Sequence, residues 1–416
     1  MNIRTTQGSY MFPMVVMSVL FFMVGFITTL NNSLIDFLAG SRWMLSFSEK
    51  QLINTAFFGA YLFSVPLSCL LDRLGYKASA VLSLFVISIG FVLVFPAVKA
   101  GYPAFLASML VVALGVALLQ IVLNPYVLAL GKPEEAASRL NLVGFFNSSA
   151  TVVAPLFVAV LLSSPSLPAD APVEMRPAPE MVQIPFLIIA GIAMLLCVVL
   201  YFLRLPEIKA EDAETDGSLL LRCPHLVFGS LAIFFYMGVE VGIPSFLPDR
   251  MKALGMESLS MFGMDLKVGN ILALYWGGLM MGRLIGTAVL RKVNVRYAIS
   301  ACSVAAIVLI ACSMMIDSQV AIVLLVLVGF CNSIMWGGLF NLASADLGDR
   351  AKRASGIICT FAIGGAVLPP VMGALQQSFG TASLTTGTIA AFGCLIVFYL
   401  YLILFSSRLC LIRRQS

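Results

Sequence analysis

Twelve apolar windows, separated by short charged or Pro/Gly-rich breaks, constrain this chain more than any other feature. Each is close to the roughly 20 residues that a helix needs to cross the hydrocarbon core of a bilayer. They fall near 11–38, 51–71, 78–98, 102–129, 139–163, 182–203, 224–247, 268–290, 295–315, 319–344, 354–377 and 383–406. Hydrophobic residues make up 60% of the 416-residue chain and charged residues 11%, a balance foreign to soluble domains. The expected fold class is therefore all-α integral membrane, a bundle of twelve transmembrane helices with little mass outside the bilayer. The first window follows the weakly charged "MNIRTTQGSY" and runs longer than a signal-peptide core. It also lacks a small-residue cleavage site, so it reads as a retained span.

Lys and Arg in alternate loops set the expected orientation. Eighteen fall on the side that carries both termini and seven on the other, so both termini are expected in the cytoplasm. The net charge of +5 then reflects loops retained beside anionic lipid and calls for no nucleic-acid partner. The nine cysteines are scattered and form no C-x-x-C pair, and the single histidine, His225, stands where the seventh span begins. Neither pattern suggests a metal, a cofactor or a disulfide framework, and with no phosphate loop or clustered carboxylates an enzyme is not expected.

Two polar segments punctuate the chain. Residues 164–181, "SPSLPADAPVEMRPAPEM", are Pro-rich and read as an extended external loop. Residues 205–222 are polar and acidic and divide the chain into a six-helix half at 1–204 and another at 223–416, joined by a cytoplasmic linker. Each second span ends in a basic turn, "LDRLGYKAS" in the first half and "GRLIGTAVLRKVNVR" in the second. Two repeats in the same orientation are the plan of carriers whose halves rock around a central site.

Polar residues inside the spans are the candidate functional groups. Gly25, Thr28, Thr29, Asn32 and Asp36 recur every three or four residues and form one stripe on the first helix. Gln120 and Asn124 lie one turn apart on the fourth span, Gly144, Asn147 and Thr151 follow on the fifth, and Asn332 and Trp336 share the tenth. Amides in such places either glue helices together or meet a polar ligand. Glu240, in "FFYMGVEVGIPSFLP", is the outlier, since a carboxylate near mid-bilayer costs roughly 2.5–3.5 kcal/mol on insertion scales. No Lys or Arg lies in the central third of a window, so an ion pair is not expected at that depth. Glu240 should instead face a wet cavity, take up a proton during a cycle, or meet a substrate or cation. Pro244, one turn later, is expected to loosen the helix.

Five stretches together resemble a known family: "ALLQIVLNPYVLALGKPEEAASRLNLVGFFNSSATVVAPL", "FFYMGVEVGIPSFL", "LYWGGLMMGRLIG", "CNSIMWGGLFNLA" and "AIGGAVLPPVMGAL". They look like the glucose/galactose permeases of the fucose:proton symporter family, within the major facilitator superfamily. The resemblance spans nearly the whole chain. It implies a twelve-helix importer with one central sugar site, lined by the first, fourth, fifth, seventh and tenth spans. Asn32 and Gln120 stand where the fucose symporters have acids, and neither amide titrates. The coupling ion, proton or sodium, is thus left open, as is uncoupled transport. Trp336, Gly337 and Gly338 replace the Phe-Pro-Thr of the family.

The resulting expectation is a membrane carrier that takes up a hexose or related sugar by alternating access. The alternative is a carrier of another solute: an amino sugar, a nucleoside or an exported drug. Asn32, Gln120 and Asn147 would hold one side of the sugar, with Glu240, Asn332 and Trp336 on the other and Trp276 nearby. Amides and carboxylates bond paired hydroxyls, and indoles stack on the apolar face of a sugar ring. Glu240 and Asp36 are the candidate cation-coupling residues. Asp72, Arg73, Arg283, Asp349 and Arg350 are the candidate cytoplasmic gate, although the loop charges also fit ordinary solvated residues. A monomer in the bacterial inner membrane is expected.

Overall fold

Gly75 explains how twelve windows become eleven continuous helical stretches. In the computed structural model, eleven stretches among the described residues are long and apolar enough to span a membrane, and one, Thr55–Ala100, is 46 residues long. At 1.5 Å per residue that is about 70 Å, more than twice the hydrocarbon thickness. Gly75 interrupts it with φ 78° and ψ 174°, a conformation that costs a side chain but not glycine. The chain turns there inside "LDRLGYKAS", so the stretch makes two crossings and the total is twelve.

The structure describes residues 10–45, 47–162, 172, 176–206, 223–261, 264–380 and 383–412; side chains at 31–36, 39–40, 47–51, 54, 155, 159, 261, 264 and 349 are excepted. Most of the acidic linker and of the Pro-rich loop expected at 164–181 therefore lies outside the described residues.

The helices of the first six spans are α1 (Met11–Gly40), α2 (Phe47–Gly59), α3 (Ser64–Ala100), α4 (Tyr102–Ala129), α5 (Ala136–Leu161) and α6 (Gln183–Phe202). The last six spans contain α7 (Pro224–Ala253), α8 (Val268–Val289), α9 (Val295–Met315), α10 (Gln319–Asn332), α11 (Met335–Ser344), α12 (Ala351–Thr360), α13 (Gly364–Phe379) and α14 (Leu384–Ser407). A short hairpin, β1 (Ser258–Met261) against β2 (Met264–Lys267), joins α7 to α8 where the sequence suggests only a loop. The windows at 319–344 and 354–377 are each broken in mid-course, at Ser333–Ile334 and by a 3-10 turn at Phe361–Ile363.

Packing repeats between the two sets of six spans. In the first set α1 packs on α5, α2 on α4 and α3 on α6; in the second α7 packs on α13, α8 on α10 and α9 on α14. Close approach needs small residues at matching places. A Cβ on Gly25 of α1 would collide with the Asn147 carbonyl of α5, and one on Gly364 of α13 would collide with the Phe234 carbonyl of α7. With no hydrophobic drive between helices in lipid, such backbone contact supplies dispersion energy that larger residues would block.

Contacts between the sets run from α5 to α8, from α12 to α3 and α4, and from α11 to α5. Proline creates one bonding partner on this seam. Pro125 lacks an N–H, so the Ile121 carbonyl one turn earlier has no intrahelical donor, and the Ser355 hydroxyl of α12 donates to it at 2.9 Å. The Asn-Pro-Tyr stretch thus joins one set of spans to the other.

Candidate functional site

Pro244 does for α7 what Pro125 does for α4. It leaves the carbonyl of Glu240 without its i+4 donor, and the Tyr275 hydroxyl of α8 fills the gap at 3.1 Å. Asn332 Nδ2 donates to the same hydroxyl at 3.0 Å, and the Tyr399 hydroxyl donates to Asn332 Oδ1 at 2.6 Å. All four residues are buried. Asn332, expected at the sugar, therefore has both ends of its amide committed to tyrosines from α8 and α14. In this conformation it braces the helices around Glu240.

The carboxylate of Glu240 corrects the expectation that no ion pair exists at its depth. Arg283 Nη2 lies 3.5 Å from Glu240 Oε1, with the side chains only 9% and 12% exposed. The sequence groups Arg283 with the cytoplasmic gate because it lies near the end of its window. The structure instead turns it inward, since α8 continues six residues past it to Val289 and its flank faces α5. Arg283 Nη1 donates to the Gly144 carbonyl at 2.9 Å and to Ser148 Oγ at 2.8 Å, both across the seam. Gly144 leaves the room: the guanidinium and its stem pack directly over the place where a side chain would stand. A buried charge is tolerated only when paired and hydrogen-bonded, and Arg283 meets both conditions with partners from two helices.

The seam continues from Arg283 toward the end of α8. The side chain of Asn141 donates to the Arg283 carbonyl, and Ser138 Oγ donates to the Thr287 carbonyl at 2.7 Å. Arg139, between them, turns back to bond the Val127, Leu128 and Lys132 carbonyls at the end of α4. In the R-L-N-L and F-N-S stretches, Arg139 thus caps a helix, Asn141 and Ser148 join the two sets, and Asn147 donates to the Phe21 carbonyl of α1 at 2.9 Å.

Trp336 forms a second bridge, its indole Nε1 donating to Asn124 Oδ1 at 3.3 Å. Asn124 Nδ2 donates to the Gln120 carbonyl at 2.8 Å, while Gln120 Nε2 donates to the Tyr61 hydroxyl at 2.8 Å. Trp336, Gln120, Asn147 and Trp276 are each partly exposed, whereas Asn124 and Asn332 are fully enclosed. The Trp336 ring lies 6.4 Å from Tyr236 and 6.2 Å from Phe340, and Trp276 stands edge-on to Tyr275 at 5.3 Å. The Tyr236 hydroxyl, one turn before Glu240, is buried beside the Glu240 carboxylate.

Among the candidate gate charges, Asp72 pairs with Arg353 across the seam. Arg73 and Arg350 are exposed, and the side chain of Asp349 lies outside the described residues, as do those of Asn32 and Asp36. Arg353 escapes a reading of the sequence because it lies within the basic "DRAKR" turn, which offers no reason to prefer it to its neighbours. His225 Nε2 lies 3.0 Å from the Ala345 carbonyl, in keeping with a structural place at a span end. No group of three or more potential metal ligands occurs among the described residues.

Residues 17–368 match the sequence profile of the Major Facilitator Superfamily. The chain is 36% identical over 382 residues to a glucose/galactose transporter of Brucella abortus biovar 1 (strain 9-941), covering 90% of each. It is 35% identical over 396 residues to a putative glucose/galactose transporter of Helicobacter pylori (strain ATCC 700392 / 26695), covering 94% of this chain and 95% of the relative. The crystal structure of a variant of the Escherichia coli fucose:proton symporter, FucP, superimposes with a TM-score of 0.80 at 25% identity, over 96% of this chain and 99% of that one.

Proposed function

Since the chain belongs to the Major Facilitator Superfamily, we propose that it is a secondary transporter carrying a hexose or closely related sugar across the bacterial inner membrane by alternating access. The relatives named for glucose/galactose and for L-fucose-proton transport support a sugar as cargo and a proton as the coupling ion. Those names describe carriers, which sets the enzyme reading aside. Residues 1–204 and 223–416 serve as the two moving halves, and both termini face the cytoplasm in keeping with the Lys/Arg bias.

The observation that carries the sugar reading is the pairing, on one seam, of a partly exposed indole with partly exposed amides. Trp336 offers an aromatic face, and its N–H is already held by Asn124. Gln120 keeps its Oε1 for a ligand, since Tyr61 takes up its Nε2. Hydroxyls of a sugar need such short, divided donor and acceptor ends, while the ring's C–H face needs an aromatic plane. Asn147 and Trp276 extend the surface on α5 and α8, and Asn32 is its proposed member on α1. Glu240 is the proposed proton carrier, because the amides at 32 and 120 cannot titrate. Asp72 and Arg353 help hold the cytoplasmic end shut.

Uptake of labelled glucose or galactose into liposomes containing the purified protein tests this reading. Accumulation driven by an inward proton gradient, competed by other hexoses, is the expected result. Competition by an amino sugar or a nucleoside but not by hexoses would move the cargo to that class. Response to a sodium gradient alone would replace the coupling ion.

A further inference from the structure

Far from the central site, α3 and α6 enclose an open groove of about 420 Å³. Its walls follow helical spacing. Lys77, Val81 and Phe85 stand one turn apart on α3, with Leu82 beside them, and Cys197 and Tyr201 stand one turn apart on α6. Small residues make the space: Ala78 is exposed, and Cys197 is buried with its thiol donating to the Val81 carbonyl at 3.4 Å. Phe85 and Tyr201 are exposed, and exposed apolar residues continue along both helices, with Ile89 and Val92 on α3 and Leu195 and Val198 on α6, so this face meets lipid. Lys77 lies just past the Gly75 turn and Tyr201 in the last turn of α6, which puts the mouth of the groove at one end of both helices. Phe85 is then about 12 Å deeper, well inside the hydrocarbon. The Lys77 ammonium stands over the Tyr201 ring, 5.9 Å from its centroid, which holds it at the mouth. Arg204 is exposed just past α6. Among the described residues no carboxylate forms an ion pair with Lys77 or Arg204, and Asp72, in the neighbouring turn, is taken by Arg353.

We propose that this groove binds one phospholipid with a net-negative headgroup, its phosphate against Lys77 and Arg204 and an acyl chain along Val81, Leu82 and Phe85. The inference goes beyond the transport reading and needs only that the chain spans a bilayer. An acyl chain fits because the deep part of the groove is hydrocarbon and opens toward lipid, where close packing supplies the dispersion energy. A net-negative headgroup fits because two cations without a paired carboxylate meet it. A zwitterionic headgroup brings its own ammonium and gains less from them. Lys77 suits the mouth in a further way, since its alkyl stem lies along apolar surface while its charge reaches the headgroup level. The acidic linker that follows α6 also carries carboxylates, at Glu207, Glu211 and Asp212. A carboxylate, however, has no use for two turns of apolar groove. A molecule that joins an anion to a hydrocarbon chain satisfies both ends at once.

The test reads occupancy rather than transport, so it is independent of which solute is carried. A phosphatidylglycerol with a photoactivatable diazirine in one acyl chain is held at low fraction in phosphatidylcholine liposomes containing the full chain, and the labelled peptides are mapped by mass spectrometry. Labelling should concentrate on residues 77–85 and 195–204 and exceed that of α9 and α14, which also expose apolar residues to lipid. Unlabelled phosphatidylglycerol should displace the probe, phosphatidylethanolamine with the same chains should need about tenfold more or beyond, and soluble glycerol phosphate should leave it in place. Lys77→Gln should weaken labelling about fivefold, and Lys77→Arg should keep it. Ala78→Phe fills the groove without touching a charge and should also weaken it, while labelling of α9 and α14 in the same molecules stays level. Labelling spread evenly over the lipid-facing helices, or displacement by phosphatidylethanolamine as readily as by phosphatidylglycerol, would mean ordinary boundary lipid and overturns the proposal. Unchanged labelling in Lys77→Gln does the same, and displacement by glycerol phosphate would make this a site for a free anion instead. Stronger labelling once Glu207, Glu211 and Asp212 are replaced by amides would mean that the linker holds these cations, which overturns a resident lipid.

Discussion

Two charged contacts hold the same seam and differ in every physical respect that matters. At one flank Arg283 and Glu240 are nearly enclosed, both belong to the last six spans, and only neutral partners on α5 receive the hydrogen bonds that cross. At the other flank Asp72 and Arg353 cross the seam as a direct ion pair, with side chains 26% and 31% exposed. Water and salt screen the second pair, so either partner can be lost at small cost. The first pair has no such refuge. Removing one member leaves its partner buried and unbalanced. The comparison teaches that the same residue types make a costly contact or a cheap one, with depth deciding which.

The largest expected effect breaks the buried pair. Arg283→Gln alone should cost the closed arrangement about 3–5 kcal/mol, seen as a marked fall in the thermal unfolding midpoint of the purified protein. Replacing Glu240 and Arg283 together by neutral residues should recover much of that fall, because no lone charge remains. A double variant as unstable as the single one would mean that packing, not charge balance, is what Arg283 supplies.

A smaller effect separates recognition from closure. Trp336→Ala removes the aromatic face and the bond to Asn124, and sugar affinity should fall about fivefold or more, in line with roughly 1 kcal/mol of stacking. Equilibrium binding on the folded variant checks this. Unchanged affinity would leave Trp336 as a bridge between halves with no part in holding the sugar.

The smallest effect belongs to the exposed pair. Asp72→Asn should shift the unfolding midpoint by an amount corresponding to about 0–1 kcal/mol, and less at high salt. A loss equal to that of Arg283→Gln would erase the distinction between the two flanks.

Much of this architecture is legible in the sequence, and the reasons are physical. The span count follows from the length of the apolar windows, and Glu240 stands out because a carboxylate in a span is expensive. Pro125 and Pro244 announce freed carbonyls, since a missing N–H is a local fact. Their partners, Ser355 and Tyr275, are not legible, because a hydroxyl more than thirty residues away leaves no mark on the local pattern. Arg283 reads as a gate residue because counting Lys and Arg assigns an arginine near a window's end to the loop. The apolar residues that follow it, "LIGTAV", are the available sign that α8 continues past it. Asn332 looks like a ligand for the opposite reason: its amide is visible, but the two tyrosines that occupy it come from other spans.

The central proposal is that Glu240 carries the proton that drives sugar accumulation. Glu240→Gln keeps the size of the side chain and most of its hydrogen bonds but cannot carry a proton. In liposomes with an imposed proton gradient, the variant should lose gradient-driven accumulation while still exchanging sugar down the sugar's own gradient. Accumulation by Glu240→Gln at the wild-type level, under the same gradient, would contradict the account.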